Sequence, residues 1–189
     1  MTMSDDPLGP VLSAGAFVLR PWHDSDAPAF VAAVLESSET VGRWMDWAHS
    51  RYAAEDARAW FAFAAEARRQ GSGHEFGLFD AATGALVGGC GLNPLNPMHG
   101  VCNLGYWVRQ SWQRRGAASA AVQALAGFAL TTLQMGRVEI VVAVGNAPSR
   151  AVAERSGALH ECVARSRLRV HGQPVSAHVY SLVPEPLRA

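Results

Sequence analysis

The stretch Val108-Arg-Gln-Ser-Trp-Gln-Arg-Arg-Gly-Ala-Ala118 combines residue types and an order that can do chemistry. An apolar run stops, an Arg-containing polar turn follows, and Gly116, Ala117 and Ala118 then open a long Ala-rich segment. The first turn of a helix has backbone N–H groups with no partner inside the helix, together with the positive end of the dipole. Small side chains leave those donors open, and a pyrophosphate would fit against them. Small residues also begin helices simply to pack closely, so this motif alone decides little. Tyr106, just upstream, is either a core aromatic on an alternating strand or a phenol able to donate a proton.

A strand must deliver this turn and a helix must receive it. Asn103–Val108 reads as the strand, and Gly116 to about Leu133 as the helix, with Val122, Leu125, Ala126, Ala129 and Leu133 on one stripe. Upstream, Phe17–Arg20 reads as a strand stopped by Pro21. Asp24 or Ser25 then caps a helix containing Ala27, Phe30, Val31, Val34 and Leu35. A second helix spans Tyr52–Arg69, and the intervening Val41–Trp47 segment holds Trp44, Met45 and Trp47, the kind of cluster usually found in a core. Glu75–Phe79, Ala85–Leu92 and Asn103–Val108, separated by Gly and Pro turns, suggest an antiparallel meander. The β-branched run Val138–Val144 fits a strand covered on both faces, a short helix covers Pro148–Ser156 before Gly157, and strands are expected around 159–170 and 175–183. The order is β-α-α-β-β-β-α-β-α-β-β.

The 189 residues are enough for one core burying roughly 70% of the unfolded surface. Residues 1–14 read as a loose lead-in and 15–189 as a single domain. With 49% hydrophobic and 17% charged residues the chain lies far from the composition of disorder. Sixteen Lys and Arg balance sixteen Asp and Glu, leaving no global field to hold nucleic acid. Cys90, Cys102 and Cys162 lack metal-ligand spacing, so no metal is expected. No apolar run approaches the ~18 residues of a membrane helix, and the acidic start Met1–Pro7 is unlike a signal peptide, so the expected location is the cytoplasm with no membrane partner.

Gln113, Arg114, Arg115, Gly116, Ala117 and Ala118 meet the signature Q/R-x-x-G-x-G/A, and through it the chain resembles the GNAT acetyltransferase superfamily. Leu104–Val108 is similar to that family's fourth strand, and Asn146-Ala-Pro-Ser149 with Glu154–Gly157 to its N-x-x-S block. Arg20-Pro21, the Val41–Trp47 cluster and Gly172–Tyr180 resemble the branch that acetylates ribosomal-protein N-termini. The resemblance implies an α/β (α+β) fold with a mixed sheet of about seven strands, splayed between the fourth and fifth, and about four helices. It implies acetyl-CoA in the splay, with the backbone of Trp107 and Val108, the Gln113–Ser119 turn, Asn146 and Ser149 around it. Ser149 is then a hydrogen-bond or proton donor to the departing thiolate, otherwise a helix cap. Trp44 and Trp47 border the acceptor.

The acceptor implied is the α-amine of a protein or peptide. A small-molecule amine (polyamine, aminoglycoside or amino acid) or a catalytically weak acyl-CoA-binding module is the alternative, and the protein is expected to be a monomer or homodimer. Two positions depart from the branch. Asn103 stands where a base-competent Glu is usual, and an amide accepts no proton at physiological pH. Ser119 replaces a common acidic residue. Glu75 and Glu139 are possible substitute carboxylates, and each also has a structural reading.

Overall fold

The computed structural model describes residues 9–184. Its centre is one open sheet of order β1-β2-β3-β4-β5-β6-β8-β7. The strands are β1 (Leu12–Ala14), β2 (Phe17–Arg20), β3 (His74–Asp80), β4 (Leu86–Asn96), β5 (Val101–Val108), β6 (Arg137–Ala143), β7 (Leu159–Val170) and β8 (Gln173–Leu182). The helices are α1 (Ala27–Glu36), α2 (Ala54–Arg69), α3 (Ala117–Gly127), continued by a π-helical turn over Phe128–Thr132, and α4 (Ala147–Arg155).

The mixed α+β architecture and element order follow the reading above, with one strand more than the expected seven. The addition, β1, pairs antiparallel with β2 through Leu12–Leu19 and Ala14–Phe17. Residues 12–14 are therefore sheet, although the sequence reads as lead-in; the rest of the lead-in up to residue 8 lies outside the described residues. Three residues show too little alternation to announce a strand, and β1 exists because Leu12 and Ala14 bury against the core. Neither Asp24 nor Ser25 caps α1. A 3-10 turn over Asp24–Asp26 precedes it, and Asp26 accepts from the His23 amide at 2.9 Å while holding Arg20 through two bonds of 2.7 and 2.8 Å. The Arg20 guanidinium also lies 3.7 Å above the Phe79 ring, so this bidentate pair ties the end of β2 to the start of α1.

Alternation along the strands assigns two cores. Phe76, Cys102 and Leu104 pack beneath α3 with Val122, Leu125 and Ile140, and Tyr106 and Val108 flank them. On the other face Trp22, Phe30, Phe61 and Phe79 pack among α1, α2 and the loop before α2, with Trp107 beside them.

All neighbouring strands are antiparallel except β5 and β6, which pair in parallel only over Val101–Asn103 and Arg137–Glu139. From Leu104 onward the ladder between them stops. The sheet is splayed there, as expected, and β6 continues instead along β8 from Val138–Leu182 to Ala143–Ala177. The β7–β8 hairpin turns through His171 and Gly172, both left-handed at φ 49° and 73°. The His171 amide donates to Asp46 at 2.7 Å, which fastens the hairpin to the loop carrying Trp44 and Trp47.

Candidate active site

The open end of the splay faces the mouth of α3. Arg114 and Gly116 both adopt left-handed backbone, φ 64° and 80°, and turn the chain sharply into the helix. The first helical bond across this turn runs from Ala120 N to Gly116 O at 3.0 Å, so the amides of Ala117, Ala118 and Ser119 precede the helical ladder. A Cβ at Gly116 would meet no atom within 4 Å, so the turn is open on that side. Gln113 fastens it by donating to Val108 O at 3.2 Å. Arg114 is exposed, and Arg115 lies 4.8 Å above the Trp112 ring.

Across the splay, Tyr106 of β5 meets the first turn of α4. Its Oη is 2.9 Å from Ser149 Oγ and 3.0 Å from Ser149 O. Ser149 N in turn donates to Asn146 Oδ1 at 3.3 Å, making Asn146 the helix cap. Tyr106, Asn146 and Ser149 thus form one unit joining two strands that have ceased to pair. Burial pushes the Tyr106 phenol up to about 12, so it keeps its proton at neutral pH.

The opposite face of β4 and β5 opens into a cavity of about 990 Å³. Its walls are aromatic, with Trp22, Trp44, Trp47, Trp60 and Trp107 among them. Trp47 lies 5.5 Å from Trp107, which in turn sits 5.4 Å from Phe30. The Trp107 side chain therefore faces this cavity, while its backbone lies on the strand bordering the splay. Arg169 of β7 lines the cavity as well.

The structure does not bring Asn103 to the Tyr106–Ser149 unit. Asn103 lies on the other face of β5, where its amide donates to Asn93 O at 3.1 Å. Glu139 is taken by ion pairs to Arg137 at 3.0 Å and Arg167 at 3.8 Å. Glu75 differs. It lines the cavity, is 8% exposed, and accepts a hydrogen bond from the Asn93 side chain. Burial pushes its carboxyl up to about 7, against the opposing pull of the Asn93 bond and Arg68. Only cross-strand register sets it among Gly91 and Gly105, and a single sequence carries no signal for that.

A helix mouth with open leading amides, a parallel strand pair that splays apart and a proton-bearing unit bridging the gap are thus found together. Residues 17–159 match the acetyltransferase (GNAT) domain family, and the chain belongs to it. It is an N-acetyltransferase whose cosubstrate is acetyl-CoA. The chain is 32% identical over 168 residues, 87% of its length and 90% of the relative's, to Bacillus subtilis YdaF, a protein assigned by name to ribosomal N-acetylation. It is 27% identical to the Escherichia coli [ribosomal protein uS5]-alanine N-acetyltransferase, covering 86% of this chain and 84% of that one. Mycobacterium smegmatis RimJ in complex with CoA-disulfide superposes with a TM-score of 0.83 at 26% identity, over 96% of this chain and 88% of that one. The residues here fit the cosubstrate: the three leading amides of α3, the bare side of Gly116 and the unpaired edge of β5 offer what a pyrophosphate and an amide-bearing arm require.

Proposed function

We propose that this enzyme acetylates the N-terminal α-amino group of a protein or peptide, ribosomal proteins being the acceptors named for its relatives. The observation that carries the reading is the meeting of two compartments at Leu104–Val108. One is the α3 mouth with the Tyr106–Ser149 unit; the other is the roomy aromatic cavity across the sheet. A volume of about 990 Å³ exceeds what a lone primary amine needs and suits the first residues of a chain.

Bound acetyl-CoA supplies the acetyl group already activated as a thioester. Gln113, Arg114, Arg115 and the amides of Ala117, Ala118 and Ser119 would hold its phosphates, with Gly116 keeping the approach clear. The backbone of Trp107 and Val108 and the side chain of Asn146 would hold the arm. Tyr106 holds a proton at Oη beside Ser149 Oγ, positioned as the proton source for the sulfur that leaves. Trp44 and Trp47 flank the acceptor's path. The same reading puts the protein in the cytoplasm, where acetyl-CoA and newly made ribosomal proteins meet.

The test is CoA release with an amine panel: peptides beginning with Ser, Ala or Met, their N-acetylated forms, spermidine and an aminoglycoside. Peptides with free N-termini should turn over and gain one acetyl group at the α-nitrogen by mass spectrometry. Turnover confined to the polyamine or the aminoglycoside would overturn the acceptor assignment.

A further inference from the structure

Asn103 leaves the acceptor side without the carboxylate expected on β5, yet an α-amine with an ordinary pKa near ~8 arrives largely as ammonium at neutral pH and cannot attack in that form. We propose that Glu75 is the general base, taking one proton from the acceptor ammonium on the cavity face of the sheet. This rests on the acetyl-transfer reading above. In the step an N–H bond of the ammonium breaks, an O–H bond forms on Glu75, and the electron pair stays on nitrogen as the lone pair that attacks. Glu75 returns its proton to solvent through the cavity.

Sheet register places the group. Glu75 on β3 pairs with Gly91 on β4, and Gly91 pairs with Gly105 on β5. Paired residues point to the same face, so the carboxylate looks across a strip of backbone bare of side chains. The strip is shaped by the carboxylate. A Cβ at Gly91 would collide with both Glu75 oxygens, whereas a Cβ at Gly105 would meet nothing within 4 Å. The carboxylate therefore lies over β4, and open space begins about one strand spacing, ~4.8 Å, further on, at the border of the splay. An amine over Gly105 is within reach of Glu75 directly or through one water.

The two asparagines complete the arrangement. Asn93 donates its side-chain amide to Glu75 Oε1, and Asn103 donates its own to the Asn93 carbonyl. An ionised glutamate at position 103 would have no proton to donate to that carbonyl, so Asn103 supports the carboxylate at 75 from the position where the resemblance implies one. Asn93 and Asn103 are positioning residues in this account.

The surrounding charges agree. Arg68 of α2 donates to the Glu75 carbonyl at 2.6 Å, and its positive charge pulls the carboxyl down against the larger rise from burial. On β4, burial pushes the Cys90 thiol up, and on β5 Tyr106 likewise keeps its proton. The remaining ionisable groups facing the cavity are Asp46, His49 and Tyr52 of the loop, Asp56 of α2 and Arg169 of β7. With its carboxyl raised to about 7, Glu75 is ionised enough to act and basic enough to accept.

The experiment compares the full-length wild type with Glu75→Gln, Glu75→Asp and His49→Gln, using a free Ser-terminated peptide and spermidine as acceptors. In wild type kcat/KM should rise through about 7, whichever acceptor is used. In Glu75→Gln it should fall by about 100-fold or more at pH 7, and its rising limb should move to the pKa of the acceptor amine. Glu75→Asp should keep the neutral limb at reduced rate, and His49→Gln should keep it as well. Independently of turnover, a glutamate carboxyl resonance titrating near neutrality in ¹³C NMR should vanish in Glu75→Gln, while CoA affinity by calorimetry stays unchanged. A Gln variant retaining the wild-type rate and limb would overturn Glu75 and leave the acceptor reading standing. Loss with spermidine while no peptide reacts would support Glu75 and overturn the peptide reading. No turnover of either amine by wild type would overturn both.

Discussion

Tyr106 and Ser149 illustrate how one hydrogen bond can serve both shape and chemistry. Because Tyr106 Oη reaches both the carbonyl and the hydroxyl of Ser149, it has two ways to place its own proton, and the serine hydroxyl only one phenol to answer. Tyr106→Phe removes the whole unit, whereas Ser149→Ala leaves the bond to the carbonyl. The expected result is a kcat lowered by roughly 10- to 100-fold in Tyr106→Phe, with KM within about threefold and CoA affinity by calorimetry unchanged, since in the proposed role the group acts only as negative charge develops on the departing sulfur. Ser149→Ala should lose less, and the double variant should be no slower than Tyr106→Phe, because residues acting as a unit are not additive. A Tyr106→Phe enzyme within twofold of wild type in kcat would reduce the contact to a strand–helix fastening. Asn103 teaches the opposite lesson. Its type alone says that a base is missing, and only its bond to Asn93 says what it does instead.

The turn into α3 is where sequence and structure agree most closely. Small residues after a polar turn are visible one by one, and a helix mouth is a local object, so its amides could be anticipated without any long-range information. The left-handed φ of 80° at Gly116 adds a reason for glycine beyond clearance. Gly116→Glu should weaken CoA binding by at least about 30-fold, because a carboxylate then stands where phosphates would approach. The fold should survive, since an added Cβ meets open space, but the strained backbone costs roughly 1–2 kcal/mol. That corresponds to a melting temperature lower by about 2–8 °C with an unchanged circular dichroism spectrum. Wild-type CoA affinity in that variant would sink the phosphate assignment. What sequence could not supply was β1, too short for periodicity, and the register in which β3, β4 and β5 pair. The Glu75–Gly91–Gly105 row joins residues 16 and 14 positions apart through two register choices. A one-residue slip in either would put Glu75 and Gly105 on opposite faces.

The neighbours His74 and Glu75 make the stability of the whole fold a function of pH in two opposing ways. Glu75 is raised from 4.5 to about 7 by burial, so between those values the folded chain binds a proton that the unfolded chain has released. Its contribution is full below about 4.5 and is lost as pH climbs to about 7. His74 is lowered from 6.5 to about 4 by burial and by Arg68, so here the unfolded chain binds the extra proton. That contribution is full above about 6.5 and is lost as pH falls to about 4. Over their shared window, roughly pH 4.5 to 6.5, the two slopes oppose one another and the pair keeps the fold's stability nearly level. Glu75→Gln removes one slope and exposes the other. Relative to wild type, the variant should gain stability steadily as pH rises, approaching roughly 3 kcal/mol by pH 8, a melting temperature several degrees higher. The variant alone should also gain stability more steeply than wild type between about pH 4.5 and 6.5. Thermal melts of both proteins from pH 4 to 8 decide this: parallel curves would mean that Glu75 ionises in the folded enzyme as it does in the unfolded chain. A rising difference would show that the enzyme holds, at a cost in stability, a carboxylate poised near neutrality. Sites of that kind stabilise when neutralised and lose activity in the same step.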